Sequence, residues 1–194
     1  MQVVFIILLS YFLGSIPFGY LIGRLRGVNL LEVGSKSTGT TNAFRALGFG
    51  WALLTFLLDL LKGVLAVYFA NLFFANQYSL IALSGLLAII GHTLTPFLGF
   101  KGGKGVATGL GVLVFLTPGI ALVGFVVETS IILITRYVSL GSLITGPLMV
   151  GLTFIPFFGV PWEYQCLITV AVGYIVYKHV PNIHRLLQGK ENKI

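Results

Sequence analysis

Acid is what this chain has least of. Five of its 194 residues are Asp or Glu, and Asp59 is the sole aspartate. A Mg2+ site for phosphate chemistry gathers several carboxylates around the ion, and residues this sparse form no such cluster. Cysteine is nearly absent as well. Cys166 stands alone, which excludes an internal disulfide and a cysteine-based zinc site. No residue set asks for a metal or a cofactor, so the expected chemistry is metal-free. Charge of either sign is scarce, at 9% of residues, against about a quarter in soluble domains.

Hydrophobic residues take that space: 57% of the chain, with a mean hydropathy of +1.00. Apolar runs of about 18 or more residues with few charges read as membrane-spanning helices. Breaks at charge, Gly and Pro place seven of them, at 2–23, 49–70, 79–97, 104–117, 119–135, 140–158 and 162–180. The expected fold is therefore all-α, a polytopic integral membrane protein with one transmembrane domain over residues 1–194. Continuous runs do not alternate inward and outward, which argues against a β-barrel. The fourth run is short and joins the fifth tightly at Thr117-Pro118-Gly119, so a count of five or six stays open. The first run has no basic residues before it and outlasts a signal-peptide core, and it reads as a retained helix.

Seven spans put the termini on opposite sides. Every Lys and Arg except Lys62, which lies within a span, then falls on one side. The positive-inside rule makes that side cytoplasmic, with the N-terminus outside and the C-terminus inside. Topology thus accounts for the net charge of +7 and leaves no extended basic domain for nucleic acid.

Three unusual polar segments land together on that basic side: GSKSTGTTNAFR at 34–45, GHTLTPFLGFKGGKGVAT at 91–108 and KHVPNIHRLLQGKE at 178–191. In the second, glycines let successive backbone N–H groups converge on one anion. Lys101 and Lys104 add positive charge there, beside the expected N-terminus of the fourth helix. The alternative is a flexible loop whose lysines only obey the positive-inside rule. It is not a nucleotide-binding P-loop, because Leu98 and Gly105 stand where Gly and Ser or Thr belong. The first segment is dense in hydroxyls, with Ser35, Ser37, Thr38, Thr40 and Thr41, and adds Asn42 and Arg45. Hydroxyls and an Arg fork suit phosphate oxygens, while helix capping accounts for any single one. The third offers His179, Asn182, His184 and Arg185, with His179 the deeper histidine. His92 is either a functional group or a helix-packing donor. Ser139 and Ser142, near Arg136, could add hydroxyls to the same basin.

Asp59, Lys62 and Glu128 fall inside spans, where ionisable groups are functional candidates by default. Asp59 and Lys62, three apart on one helix, are expected to pair, and Glu128 to accept from another helix.

The order GS…TGTTN..R, GH….F.GFKGGKGVAT and KH..NI.RL..G.E, with DLLKG at 59–63, resembles the bacterial acyl-phosphate:glycerol-3-phosphate acyltransferases over essentially the whole chain. The resemblance implies a bacterial inner-membrane enzyme whose active site faces the cytoplasm. It implies transfer of a fatty acyl group from acyl phosphate to glycerol 3-phosphate, giving lysophosphatidate and phosphate in phospholipid synthesis. It implies that Ser35, Arg45, Lys104, His179 and Asn182 carry catalysis, and that the loop of Gly102, Gly103, Lys104 and Gly105 binds glycerol 3-phosphate. Thr41, Asn42, His92, Lys101, Ser142 and Arg185 complete the expected binding set, and Glu191 looks structural. The first motif departs from the family at Lys36-Ser37 and Gly39-Thr40, so no role carries over to Lys36 or Ser37. The expected partners are the two substrates and membrane lipid, with no nucleic acid and the chain a monomer. An acyl phosphate is already activated, so proximity, charge neutralisation and removal of one proton suffice. The His-x4-Asp pair of other glycerophosphate acyltransferases is missing. The base is His179, His92 or the donor's own phosphate, with the last favoured. The rival reading is a small organic-anion transporter or channel, which should show inverted repeats and polar residues crossing to the far side. Neither is evident.

Overall fold

The computed structural model describes all residues, Met1–Ile194, and its regular elements are helices without strands. In chain order they are α1 (Gln2–Ser15), α2 (Phe18–Leu25), α3 (Thr40–Leu47), α4 (Phe49–Phe73) and α5 (Tyr78–Thr93). Then follow α6 (Val106–Leu116), α7 (Pro118–Thr135), α8 (Val138–Thr153), α9 (Trp162–Lys178) and α10 (Val180–Leu187). Each of the seven expected apolar runs is helical. Their lengths differ from expectation. Four are long and apolar enough to cross a membrane: 2–25, 49–73, 78–98 and 118–135. The bent pair α9 and α10 makes a fifth. The fourth and sixth runs are shorter helices, α6 with 11 residues and α8 with 16. At about 1.5 Å per residue, α6 falls well short of a hydrocarbon core about 30 Å thick.

The outside of the bundle is apolar: Leu122 is 64% exposed and Ile134 82%, as lipid-facing residues should be. Lipid tails give no hydrophobic drive between helices, so contact depends on close packing through small residues. Two pairs show this. A Cβ on Gly111 of α6 would lie 2.0 Å from the carbonyl oxygen of Leu60, and one on Gly63 of α4 would lie 2.2 Å from that of Thr108. Between α1 and α5, Gly14 and Gly91 stand in the same relation to Ala88 and Tyr11.

Proline sets the breaks. Pro17 separates α1 from α2, leaving carbonyls without helical partners. Thr95 Oγ1 donates to Ser15 O at 2.7 Å, and Lys62 Nζ donates to Ile16 O at 2.7 Å. Pro181 cannot continue the ladder of α9, and the chain bends by 56° between α9 and α10, with His179 at the corner.

Replacing Gly111 by Leu should lower the thermal midpoint in detergent, since overpacking costs about 1–3 kcal/mol or more. Gly173→Leu is the control, because a Cβ there meets nothing within 4 Å. Equal midpoints for the two variants would remove the close-packing account.

Candidate active site

The three polar segments converge on one cavity of about 380 Å3 at one end of the bundle. The first segment is organised by a single amide. Asn42 Nδ2 donates to Leu30 O at 2.9 Å, Val33 O at 3.2 Å and Ser37 O at 2.9 Å. Its Oδ1 accepts the Ser35 N–H at 2.9 Å. Asn42 borders the cavity, but its polar atoms are engaged by its own loop, so its part is to shape that loop. Ser35 is solvent-exposed with its Oγ 3.1 Å from Ser37 Oγ, and it lies outside the cavity wall. With Asn42, the residues of this segment that reach the cavity are Ser37, Gly39, Thr40, Thr41, Phe44 and Arg45. Thr40 Oγ1 and Arg45 Nε are buried there with no protein partner, while Arg45 Nη2 donates to Asn192 O at 2.9 Å. Buried donors of this kind ordinarily have a partner, and here both belong to residues of the cavity lining.

The second segment turns into α6 at Gly105, whose φ of +91° disfavours any side chain. Gly105, Val106 and Ala107 line the cavity, so the unpaired first-turn N–H groups of α6 open towards it. Lys104 Nζ donates to Asn182 Oδ1 at 2.5 Å. Gly102 and Gly103 form the back of the loop rather than the wall. The Gly103 N–H donates to His92 O at 3.2 Å, and a Cβ on Gly103 would lie 2.1 Å from His92 Nε2. Lys101 is exposed and away from the cavity. His92 is buried, with Nδ1 3.5 Å from Asp59 Oδ1.

In the third segment, His179 Nδ1 lies 2.8 Å from Ile175 O. A carbonyl can only accept, so Nδ1 carries the proton and Nε2 keeps the lone pair. Asn182 bridges two charges: Oδ1 accepts from Lys104, and Nδ2 donates to Glu191 Oε1 at 2.7 Å. Glu191 also accepts from Ser139 Oγ at 3.1 Å and pairs with Arg185 Nε at 2.7 Å. Arg185, expected on the substrate, is thus occupied by Glu191 and lies off the wall. Ser142 lines the cavity and donates to Glu128 Oε1 at 2.7 Å, so Glu128 does accept from another helix. Asp59 and Lys62 do pair, at 2.7 Å.

Burial pushes the Lys104 ammonium down to about 8, against the opposing pull of Glu191. Burial alone would raise the Glu191 carboxyl. The hydrogen bonds from Asn182, Arg185 and Ser139 outweigh it and hold the group below the ordinary carboxylate value.

The cavity residues without an individual role in the sequence reading of the site include Thr40, Thr129 and Ile194. Thr40 was legible as one hydroxyl among several. Ile194 was not, because the tail returns to the bundle through long-range bonds such as Ile194 N to Arg136 O at 3.0 Å.

Comparison with known proteins decides the family. Residues 4–189 match the model of a family described as glycerol-3-phosphate acyltransferase. The chain belongs to that family. The glycerol-3-phosphate acyltransferase of Aquifex aeolicus is 42% identical over 193 residues, covering 100% of each chain. That of Thermus thermophilus is 42% identical over 192 residues, covering 98% of this chain and 94% of its own. Among solved structures, the integral membrane acyltransferase PlsY in its glycerol 3-phosphate form superposes with a TM-score of 0.94 at 39% identity. That match covers 100% of this chain and 96% of PlsY. A second PlsY structure, the lysophosphatidic acid form, gives a TM-score of 0.92 at 38% identity over the same shares. The seven-run pattern and the cavity therefore sit in an integral membrane acyltransferase fold.

In this acyltransferase the charge on Lys104 is pH-dependent. Below about 8 it is a cation facing the cavity, and above it the ammonium is lost. The apparent KM for a phosphate-bearing substrate should rise as pH increases through that value. Lys104→Arg, which stays charged, should remove that alkaline limb whatever it does to kcat. A limb unchanged in the variant would assign it to another group.

Proposed function

We propose that the cavity binds the phosphates of two substrates side by side and transfers a fatty acyl group from acyl phosphate to glycerol 3-phosphate. Family membership makes the chain a membrane enzyme of phospholipid synthesis that acylates glycerol 3-phosphate. The donor, the residue roles and the membrane orientation are this proposal's own. The observation that carries it is one cavity lined together by Arg45, Lys104, the hydroxyl residues Thr40 and Thr41 and the first residues of α6, with Thr40 Oγ1 and Arg45 Nε lacking any protein partner.

Lys104 and Arg45 hold the glycerol phosphate, and hydroxyls around Thr41 with backbone amides hold the acyl phosphate. Phe49, Leu53 and Phe56 of α4 and Phe125 and Ile132 of α7 line the apolar half, which suits an acyl chain. The PlsY structures with glycerol 3-phosphate and with lysophosphatidic acid support both demands. The acceptor hydroxyl attacks the donor carbonyl carbon, the C–O bond to phosphate breaks, and phosphate leaves. The hydroxyl proton goes to the leaving phosphate or to His179 Nε2. His92 is a poor base in this arrangement, since Nε2 is packed against Gly103.

The orientation we propose puts the cavity on the cytoplasmic side and the N-terminus outside, with α6 and α8 as short spans among seven. The basic residues around the cavity favour this by the positive-inside rule. The protein is taken as a monomer in the bacterial inner membrane.

The test is purified protein with glycerol 3-phosphate and either palmitoyl phosphate or palmitoyl-CoA, following phosphate release and lysophosphatidate. Turnover is expected with the acyl phosphate alone and falls about 100-fold or more in Lys104→Ala, the scale of losing one preorganised charged donor. Turnover with palmitoyl-CoA alone would overturn the donor assignment. His179→Ala retaining most of kcat would leave the donor phosphate as the base.

A further inference from the structure

Gly102 and Gly103 of the glycine-lysine loop rest directly on His92, through the Gly103 N–H bond to His92 O and through close backbone and ring contact. We infer that the buried cluster of Asp59, Lys62 and His92 is the seat of that loop, and that Asp59 and His92 are positioning residues for Lys104. The inference rests on Lys104 as the phosphate-binding cation.

The chain of contacts is continuous. Lys62 Nζ is anchored to Ile16 O at the break between α1 and α2, at 2.7 Å, and pairs with Asp59 Oδ1 at 2.7 Å. Asp59 Oδ1 stands 3.5 Å from His92 Nδ1. Above His92, the loop is held twice: the Gly103 N–H donates to His92 O at 3.2 Å, and the bare Cα of Gly103 faces the imidazole with no room for a side chain between them. A Cβ on Gly102 would lie 2.1 Å from His92 O, so that residue too is pressed onto the histidine. Lys104 follows directly, with its Nζ on Asn182 of a different helix. If the histidine shifts, Gly103 shifts with it, and the ammonium has only Asn182 to find its place.

Apart from the Ile16 carbonyl that Lys62 satisfies, the cluster has no other evident task. All three side chains are nearly inaccessible, between 2% and 5% exposed. Two of them, Asp59 and His92, border the floor of the cavity, and Asp59 Oδ1 is paired with Lys62 at 2.7 Å with His92 Nδ1 3.5 Å away. A structural pair alone would need only Asp59 and Lys62. The histidine between this pair and the loop is what links it to the site.

Positioning and mere stability make different forecasts. Asp59→Asn, which keeps the shape and loses the charge, should raise KM for glycerol 3-phosphate by roughly tenfold while KM for acyl phosphate stays put, since small misplacements of binding groups act this strongly. A defect of folding alone would instead lower the yield of active enzyme and leave both KM values alone. The sharper test is a rescue. Gly103→Ala places a methyl where the imidazole sits, and His92→Asn removes that part of the ring. The double variant should bind glycerol 3-phosphate better than Gly103→Ala does, a coupling expected only of groups in contact. Additive losses in the double variant, or an unchanged KM in Asp59→Asn, would overturn the inference. Lys104→Ala in the same series separates the two levels. If it leaves KM for glycerol 3-phosphate unchanged, the phosphate-binding role fails. If it raises KM and Asp59→Asn does not, only the seat fails.

Discussion

A lysine ammonium at the edge of a bilayer needs a partner, and the choice of that partner decides what the lysine can do. Lys104 is held by a neutral amide, Asn182 Oδ1, rather than by a carboxylate. An amide fixes the position of the charge without cancelling it. The acid beside Asn182, Glu191, is kept a step away, where Asn182, Ser139 and Arg185 occupy its oxygens. A direct Lys104–Glu191 pair would make a stable contact and a poor phosphate site, since an incoming anion would have to displace a carboxylate. Three of the chain's five acids, Asp59, Glu128 and Glu191, line the cavity, and each has a donor of its own in Lys62, Ser142 and Asn182.

The second constraint is that of backbone in a low-dielectric setting, where an unpaired carbonyl costs several kcal/mol. Pro17 frees carbonyls inside the first long apolar run, and the side chains that satisfy them come from α4 and from the turn after α5. Lys62, which closes one of these, is also the partner of Asp59. Fold repair and site construction thus share a residue. The glycine contacts of α4 with α6 then bring the start of α6, and with it Lys104, over the same floor.

What was readable in the sequence follows from which signals are local. All seven apolar runs became helices, because composition decides that run by run. Their bounds were less legible: α8 ends at Thr153 where the apolar run suggested 158, while α6 spans 106–116 within the expected 104–117. The three polar segments could be singled out and do line one cavity, since density of glycine, hydroxyl and basic residues survives without knowledge of packing. Individual assignments inside them were harder. Asn42 and Arg185 look like ligand donors in a string of letters, and only the fold reveals that Asn42 binds its own loop and Arg185 binds Glu191. Ser35 and Ser37 are two residues apart, and only Ser37 reaches the cavity. Ile194 reaches it through a tail that turns back on the bundle, a contact with no local trace.

The far end of the bundle bears on the rival reading as a transporter. Alternating access needs a binding site that can open to either side, with polar groups along the second path. Here the half of the bundle opposite the cavity is filled by Ile6, Val67, Phe74, Ile81, Tyr164 and Leu167, packed in one buried cluster. The termini of α4, α5 and α9 that meet there carry no cation, and Glu163 is the acid closest to it in sequence. Opening that plug would expose closely packed apolar side chains to water with nothing polar to replace the contacts. A cavity that is cationic at one end, apolar along one wall and closed behind is suited to an amphipathic ligand that arrives and leaves from the same side and from the lipid. That is the geometry an acylated phosphate and a soluble polyol phosphate require when they meet at a membrane surface.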